Sequence, residues 1–131
     1  MLKGIGTDIL EKNRIEVLFA KYGEKFLNKI LGESEKRLLV LEDNYRKQVS
    51  FLSNNFSGKE AVSKTLGTGF SGGVRLKDIE VTRNDNGSPK IVLRGKAKKV
   101  AEEKGFTNFY ITISDTDSLS MSFVIGEGKW E

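Results

Sequence analysis

The stretch FSGKEAVSKTLGTGFSGG runs from Phe56 to Gly73. It begins as a helix and ends in a glycine-rich turn. Phe56, Glu60, Ser63, Lys64 and Gly67 follow one another at spacings of three and four, so they share one helix face. Val49 and Leu52 extend the same period upstream, which predicts a long helix from about Asn44 to Leu66. Gly67 is its stop. The period then changes to alternation, and this switch sets the fold class.

Upstream of the helix, Lys3 to Ile9 reads as a short strand. Glu11 to Lys21 reads as a helix with Ile15, Leu18 and Phe19 on one side. EKFLNKIL and ESEKRLLVLE read as two more helices, with Gly23 and Gly32 as breaks. Downstream, VRLKDIEVTRND reads as a strand, NDNGSP as a turn and KIVLRG as the returning strand. KAKKVAEEKG is a short helix. FYITISD and LSMSFVIGE form a closing hairpin around TDS. The expectation is α+β in one domain over residues 1–131, with helices in the first half packed on an antiparallel sheet in the second.

Composition narrows the chemistry. The chain has neither cysteine nor histidine, so disulfides, thiolate sites and imidazole catalysis are excluded. A metal here must be held by oxygen, which favours Mg²⁺. The net charge of +4 suits an anionic partner. No basic tail or nucleic-acid module is present, so nucleic acid is the weaker choice. No apolar run of 18 residues occurs and the start lacks a signal peptide's apolar core. Neither membrane insertion nor secretion is expected, and a cytoplasmic location is.

Familiar motifs fail on context. Gly67-Thr68-Gly69-Phe70-Ser71-Gly72 fits G-x-G-x-x-G, but the dinucleotide reading needs a strand before it and a helix after it. The order here is reversed. Gly58-Lys59 lacks the upstream Gly and the following Ser or Thr of a P-loop. What survives is Glu60 and Lys64 on one face, followed by bare backbone. The pair alone reads as a surface ion pair worth about 0.3–0.5 kcal/mol. With the glycine turn it suits a metal-bound pyrophosphate, with backbone N–H groups meeting phosphate oxygens. Asp8, at a strand end, is the second acid. As a helix N-terminal acid it would merely favour the dipole. Spacing does not show whether Asp8 and Glu60 meet.

GIGTDILEKNRIE, FLNKILGESE, FSGKEAVSKTLGTG, LKDIEVTRNDNGSPKIVLRGKA and YITISDTDSLSMSFVI follow one another as in the holo-[acyl carrier protein] synthases, the small 4′-phosphopantetheinyl transferases. The resemblance covers nearly the whole chain. It implies transfer of phosphopantetheine from coenzyme A to a serine of an apo-acyl carrier protein, in fatty acid biosynthesis, with adenosine 3′,5′-bisphosphate as the other product. It implies Mg²⁺ on Asp8 and Glu60, Lys64 on the phosphates, and the turn Gly67, Thr68, Gly69 against the nucleotide end. It implies subunits associating as a homotrimer, with active sites between them. Glu60, directly or by way of a metal-bound water, is the leading candidate for the base that takes the serine proton.

Arg14, Leu18, Lys21 and Lys25 lie at spacings of four, three and four on the first helices. Alone they read as a solvated basic face. The resemblance makes them the seat of the acidic carrier-protein helix. Two positions depart from the family. Asn55 stands where an Arg is usual, and Tyr110 and Asp115 stand where the final motif has histidines. Asp115 is expected to turn away from the phosphates and cap the turn at 116–118. A catalytically weak coenzyme A-binding module in the same fold is the competing reading.

Overall fold

A computed structural model describes residues 1–129. The long helix forms as the periodicity predicts. It is α4 (Tyr45–Leu66), opened by Asn44, whose side chain accepts from the Lys47 N–H at 2.9 Å. It closes at Gly67 in the left-handed region, φ 80°, which glycine adopts without strain. Before it come α1 (Lys12–Tyr22), α2 (Glu24–Ile30) and α3 (Glu33–Leu39). After it come a 3₁₀ turn (Leu76–Asp78), β2 (Ile79–Arg83), β3 (Pro89–Leu93) and α5 (Gly95–Glu103). The chain closes with β4 (Phe106–Asp115) and β5 (Leu119–Gly128).

The class is α+β, but the sheet is not confined to the second half. The first strand, β1 (Leu2–Glu11), is longer than the sequence indicated and lies against the last, in the antiparallel order β1-β5-β4. β2 and β3 form a separate two-stranded sheet. The register places Ile5 opposite Ile125, Thr7 opposite Phe123 and Ile9 opposite Met121. Helix α4 crosses the other face of the large sheet. VRLKDIEVTRND also differs from expectation, since only its second half is strand. Arg75 Nε donates to Asp78 Oδ2 at 2.9 Å, and the Arg94 N–H donates to the Asp78 carbonyl at 2.8 Å. These bonds wind residues 76–78 into a tight turn.

Two apolar clusters flank α4. One joins Ile15, Ile30, Leu31 and Leu52 under α1 to α3. The other joins Val62, Leu66, Ile79 and Val124 between α4 and the sheets. A very close approach lies where β1 meets α4. A Cβ on Gly6 would stand 2.2 Å from the Ala61 carbonyl oxygen, and one on Gly4 would stand 2.4 Å from that of Thr65. Only bare backbone fits there.

Gly6→Ala should therefore destabilise the chain by about 3 kcal/mol, the upper part of the usual overpacking range, because backbone rather than a mobile side chain must yield. Urea unfolding checks this. A change of under about 0.5 kcal/mol, the scatter of an ordinary surface substitution, would show that β1 and α4 are less tightly apposed.

Candidate active site

The β1–α4 contact brings Asp8 to Glu60 and Lys64. Lys64 Nζ donates to the Thr7 carbonyl at 2.9 Å and lies 3.5 Å from Asp8 Oδ1. Ser57 Oγ donates to the Asp8 carbonyl at 3.4 Å. One side chain before Glu60 and one after it thus pin this bend of β1 to the helix. The Glu60–Lys64 ion pair weighed from spacing gives way to this arrangement: the ammonium turns toward β1. Burial raises the Glu60 pKa above the ordinary glutamate range, and the negative charge of Asp8 raises it further. Lys64 and Arg14 pull it back down.

Asp8 Oδ2 is buried and has no hydrogen-bond partner. A buried carboxylate oxygen left without a donor is costly, and a cation satisfies it. Among the described residues no group of three or more acidic, histidine or cysteine side chains gathers as a metal site. Two carboxylates therefore suit a hard cation that takes its other ligands from phosphate and water. Lys64 remains 54% exposed at its side chain, so it can meet a ligand as well as hold β1. A cleft of about 500 Å³ beside it is lined by Ile5, Gly6, Thr7 and Phe123.

Gly67, Thr68 and Gly69 follow one turn beyond Lys64, but two of their amides are spent. Gly67 N–H donates to the Ser63 and Lys64 carbonyls at 3.1 Å, and Gly69 N–H donates to the Ser63 carbonyl at 3.3 Å. The turn thus offers close backbone approach, while the amides of Gly67 and Gly69 finish the helix instead of awaiting a phosphate.

Arg14 lies nearer the acids than its place in the sequence suggested. Its guanidinium stands 5.8 Å over the Phe56 ring and its charge is felt at Glu60. Leu18 and Lys25 line a groove of about 580 Å³ with Phe26, Ile30, Phe56 and Leu76. Lys21 stands 5.3 Å over the Tyr22 ring. The groove is apolar at its floor and basic at its rim.

The expected role of Asp115 as a turn cap is corrected. Thr116 Oγ1 caps the turn, accepting from the Ser118 and Leu119 N–H groups at 3.2 and 3.0 Å. Asp115 instead accepts from the nearly buried Lys12 Nζ at 2.7 Å, and that bond holds its carboxyl below the usual aspartate range. Tyr110 donates its hydroxyl to Glu127 Oε1 at 2.6 Å. Asn55 is fully buried, where its Nδ2 donates to Glu35 Oε2 at 2.9 Å and to the Val81 carbonyl at 3.0 Å. Arg83 Nη2 reaches Asn55 Oδ1 at 3.4 Å, so a cation from β2 approaches the position where the family usually carries Arg.

The sequence does not reveal the carboxylate partners of Lys12 and Lys59, and Lys59 enters it only through the rejected P-loop reading. Both sit in runs that read as ordinary helix, and a long-range carboxylate partner leaves no local signal. Lys59 and Glu35 are both fully buried, with Nζ 2.6 Å from Oε1. Burial lowers the Lys59 pKa and raises that of Glu35, and each partner's charge opposes the shift of the other.

Comparison with known proteins gives the family and the fold. The family model described as the 4′-phosphopantetheinyl transferase superfamily matches residues 4–124. The chain belongs to that superfamily and, within it, to the holo-[acyl-carrier-protein] synthases. It is 39% identical over 129 residues to the holo-[acyl-carrier-protein] synthase of Hydrogenovibrio crunogenus, across 98% of this chain and 99% of that one. The crystal structure of the synthase from Neisseria meningitidis superposes with a TM-score of 0.87 at 33% identity, covering 97% of this chain and 99% of that one. A Bacillus anthracis synthase in complex with coenzyme A (3′,5′-ADP) gives a TM-score of 0.81 at 30% identity, covering 98% and 99%.

The Lys12–Asp115 pair yields a stability test. The folded pKa of Asp115 is depressed, so its contribution is full above the unfolded value near ~3.9 and is lost as pH falls through the folded value. Asp115→Asn should cost about 1 kcal/mol at pH 7, a discounted figure because the carboxylate is 40% exposed. The gap to wild type should close in acid. A gap that persists undiminished as the pH falls through the folded value would contradict the pairing.

Proposed function

We propose that this chain transfers 4′-phosphopantetheine from coenzyme A to a serine of apo-acyl carrier protein, with Mg²⁺ held by Asp8 and Glu60. The observation that carries the site is the meeting of these two acids from separate elements, with Lys64 beside them and Asp8 Oδ2 left without a donor. When bound, Mg²⁺ would neutralise charge on the pyrophosphate of coenzyme A. The serine Oγ bonds to the phosphorus that carries pantetheine. The bond from that phosphorus to the bridging oxygen breaks, and its electron pair leaves with adenosine 3′,5′-bisphosphate. Lys64 stands where it can meet the charge growing on the leaving phosphate. Glu60, directly or by way of a water, is the best-placed acceptor for the serine proton, since it stands at the junction of Asp8, Lys64 and Arg14.

The groove floored by Phe26, Ile30 and Phe56 suits an amphipathic acidic helix, with Leu18 as an apolar contact, Lys25 and Lys29 at the basic edge and Lys21 just outside it over the Tyr22 ring. Arg14 lies between this groove and Glu60, so it serves the junction of the two substrates. The outer face of the large sheet supports a homotrimer. Ile5, Ile9, Tyr110, Met121 and Phe123 are 37–63% exposed there, a run of apolar side chains on one face of the kind that marks an interaction surface. The cleft beside Lys64 opens onto that same face through Ile5 and Phe123, so a neighbouring copy would complete its wall. No helix among the described residues is long and apolar enough to cross a membrane, and a cytoplasmic site of action agrees with an acyl carrier protein substrate.

Incubation with coenzyme A, Mg²⁺ and apo-carrier protein, followed by mass spectrometry, tests the function. Wild type should add phosphopantetheine to the carrier. Asp8→Ala and Glu60→Ala should each fold and lose about a hundredfold or more in rate, the scale for removing charge stabilisation at a transition state. Undiminished rates for either variant would dismiss the site. Light scattering at active concentrations should give about three times the subunit mass of 14.6 kDa. A single-subunit mass would dismiss the trimer.

A further inference from the structure

The loop between α4 and the 3₁₀ turn begins and ends on the same helix. Its near end, Gly67, is the C-cap of α4. Its far end, the turn Leu76–Asp78, has no covalent tie to that helix except through the loop itself. Lys59 supplies one. From the middle of α4 its Nζ donates to the Leu76 carbonyl at 3.0 Å and to the Ile79 carbonyl at 2.5 Å, the residues at the two ends of the turn. The third donor goes to Glu35 Oε1 at 2.6 Å. All three protons of the ammonium are thus used, and nothing is left for substrate. Glu35 is oriented in turn by the Gly32 N–H at 3.0 Å and by Asn55.

A fully buried lysine is an expensive way to join two segments. Apolar residues of similar volume in place of a buried ion pair are often neutral or stabilising. A lysine stem does what a hydrophobe does not: it fixes two carbonyls at a set distance from its own backbone. That backbone is the residue preceding Glu60. We propose that Lys59 is a positioning residue, which holds the far end of the 67–75 loop at a fixed place relative to Glu60 and so sets the geometry of the coenzyme A site. This rests on the transferase reading, in which that loop meets the nucleotide end of coenzyme A. Lys59 itself touches no substrate.

The test compares Lys59→Met/Glu35→Gln, which removes both charges while keeping the space filled, with Val49→Ala, which trims a buried side chain among Tyr45, Ser50 and Leu119, outside the apolar cluster that Leu76 joins. Thermal melting, amide hydrogen exchange and coenzyme A calorimetry are measured on each. The double variant should fold. Its amides from 68 to 75 should exchange faster than in wild type, and its Kd for coenzyme A should rise about tenfold, as expected when a site is misplaced by a fraction of an ångström. Val49→Ala should lower the melting temperature and leave both the loop exchange and the Kd within about twofold of wild type, as for a site that shares no partner with Leu76. Glu35→Gln alone retains the Lys59 bonds to both carbonyls and should leave the loop exchange unchanged. Unaltered exchange and Kd in the double variant would overturn the proposal. So would an equal effect from Val49→Ala, or failure of the double variant to fold, which would assign the pair to the whole fold. Wild type that binds no coenzyme A would overturn the transferase reading instead, and the exchange comparison would still judge Lys59.

Discussion

Two glycines let a strand lie directly on a helix, and the site depends on that contact. With a Cβ at Gly6, the Ala61 carbonyl would be only 2.2 Å away, so β1 would have to lift from α4. Asp8 is two residues further along the same strand. Any displacement of β1 would carry Asp8 away from Glu60 and would break the Lys64 bond to the Thr7 carbonyl. A packing constraint in the first strand therefore becomes an electrostatic one at the site: Asp8 is held close enough to raise the Glu60 pKa. Such an arrangement is unfavourable in the free protein and is relieved by a cation.

A second constraint works from below the helix. Lys59 and Glu35 fix α3 and the turn at 76–78 against α4, opposite the strand that Gly4 and Gly6 admit. Neighbouring residues on one helix thus divide the labour. Glu60 faces the open site, while Lys59 faces the interior and spends its charge on carbonyls. The departures at Asn55 and Asp115 fit into similar networks. Asn55 shares Glu35, and Arg83 approaches from β2. Asp115 is neutralised by Lys12, which removes the repulsion that a lone carboxylate would exert on a phosphate.

Local period and punctuation exposed α4, its glycine stop, the hairpin at NDNGSP and the closing pair of strands. They also exposed Glu60 and Lys64 as one face. What they did not show was long-range. The pairing of β1 with β5 joins the two ends of the chain, and the partner of a strand is not written in its alternation. The turn at 76–78 was missed because Asp78 is captured by Arg75 and by the backbone of Arg94. The capping of 116–118 was assigned to Asp115 because its partner, Lys12, is about a hundred residues away. Resemblance supplied the roles of Asp8 and Arg14; geometry then moved Arg14 from the periphery to the side of Glu60.

The most direct check is to ask whether one cation sees both acids. Mn²⁺ can be titrated into the chain in the presence of coenzyme A, with the carboxylate carbons of Asp and Glu labelled for NMR. The account predicts that Asp8 and Glu60 broaden together and ahead of every other carboxylate, with Glu35 remaining sharp behind the helix. Broadening of one without the other, or of Glu35 and Asp78 first, would contradict it.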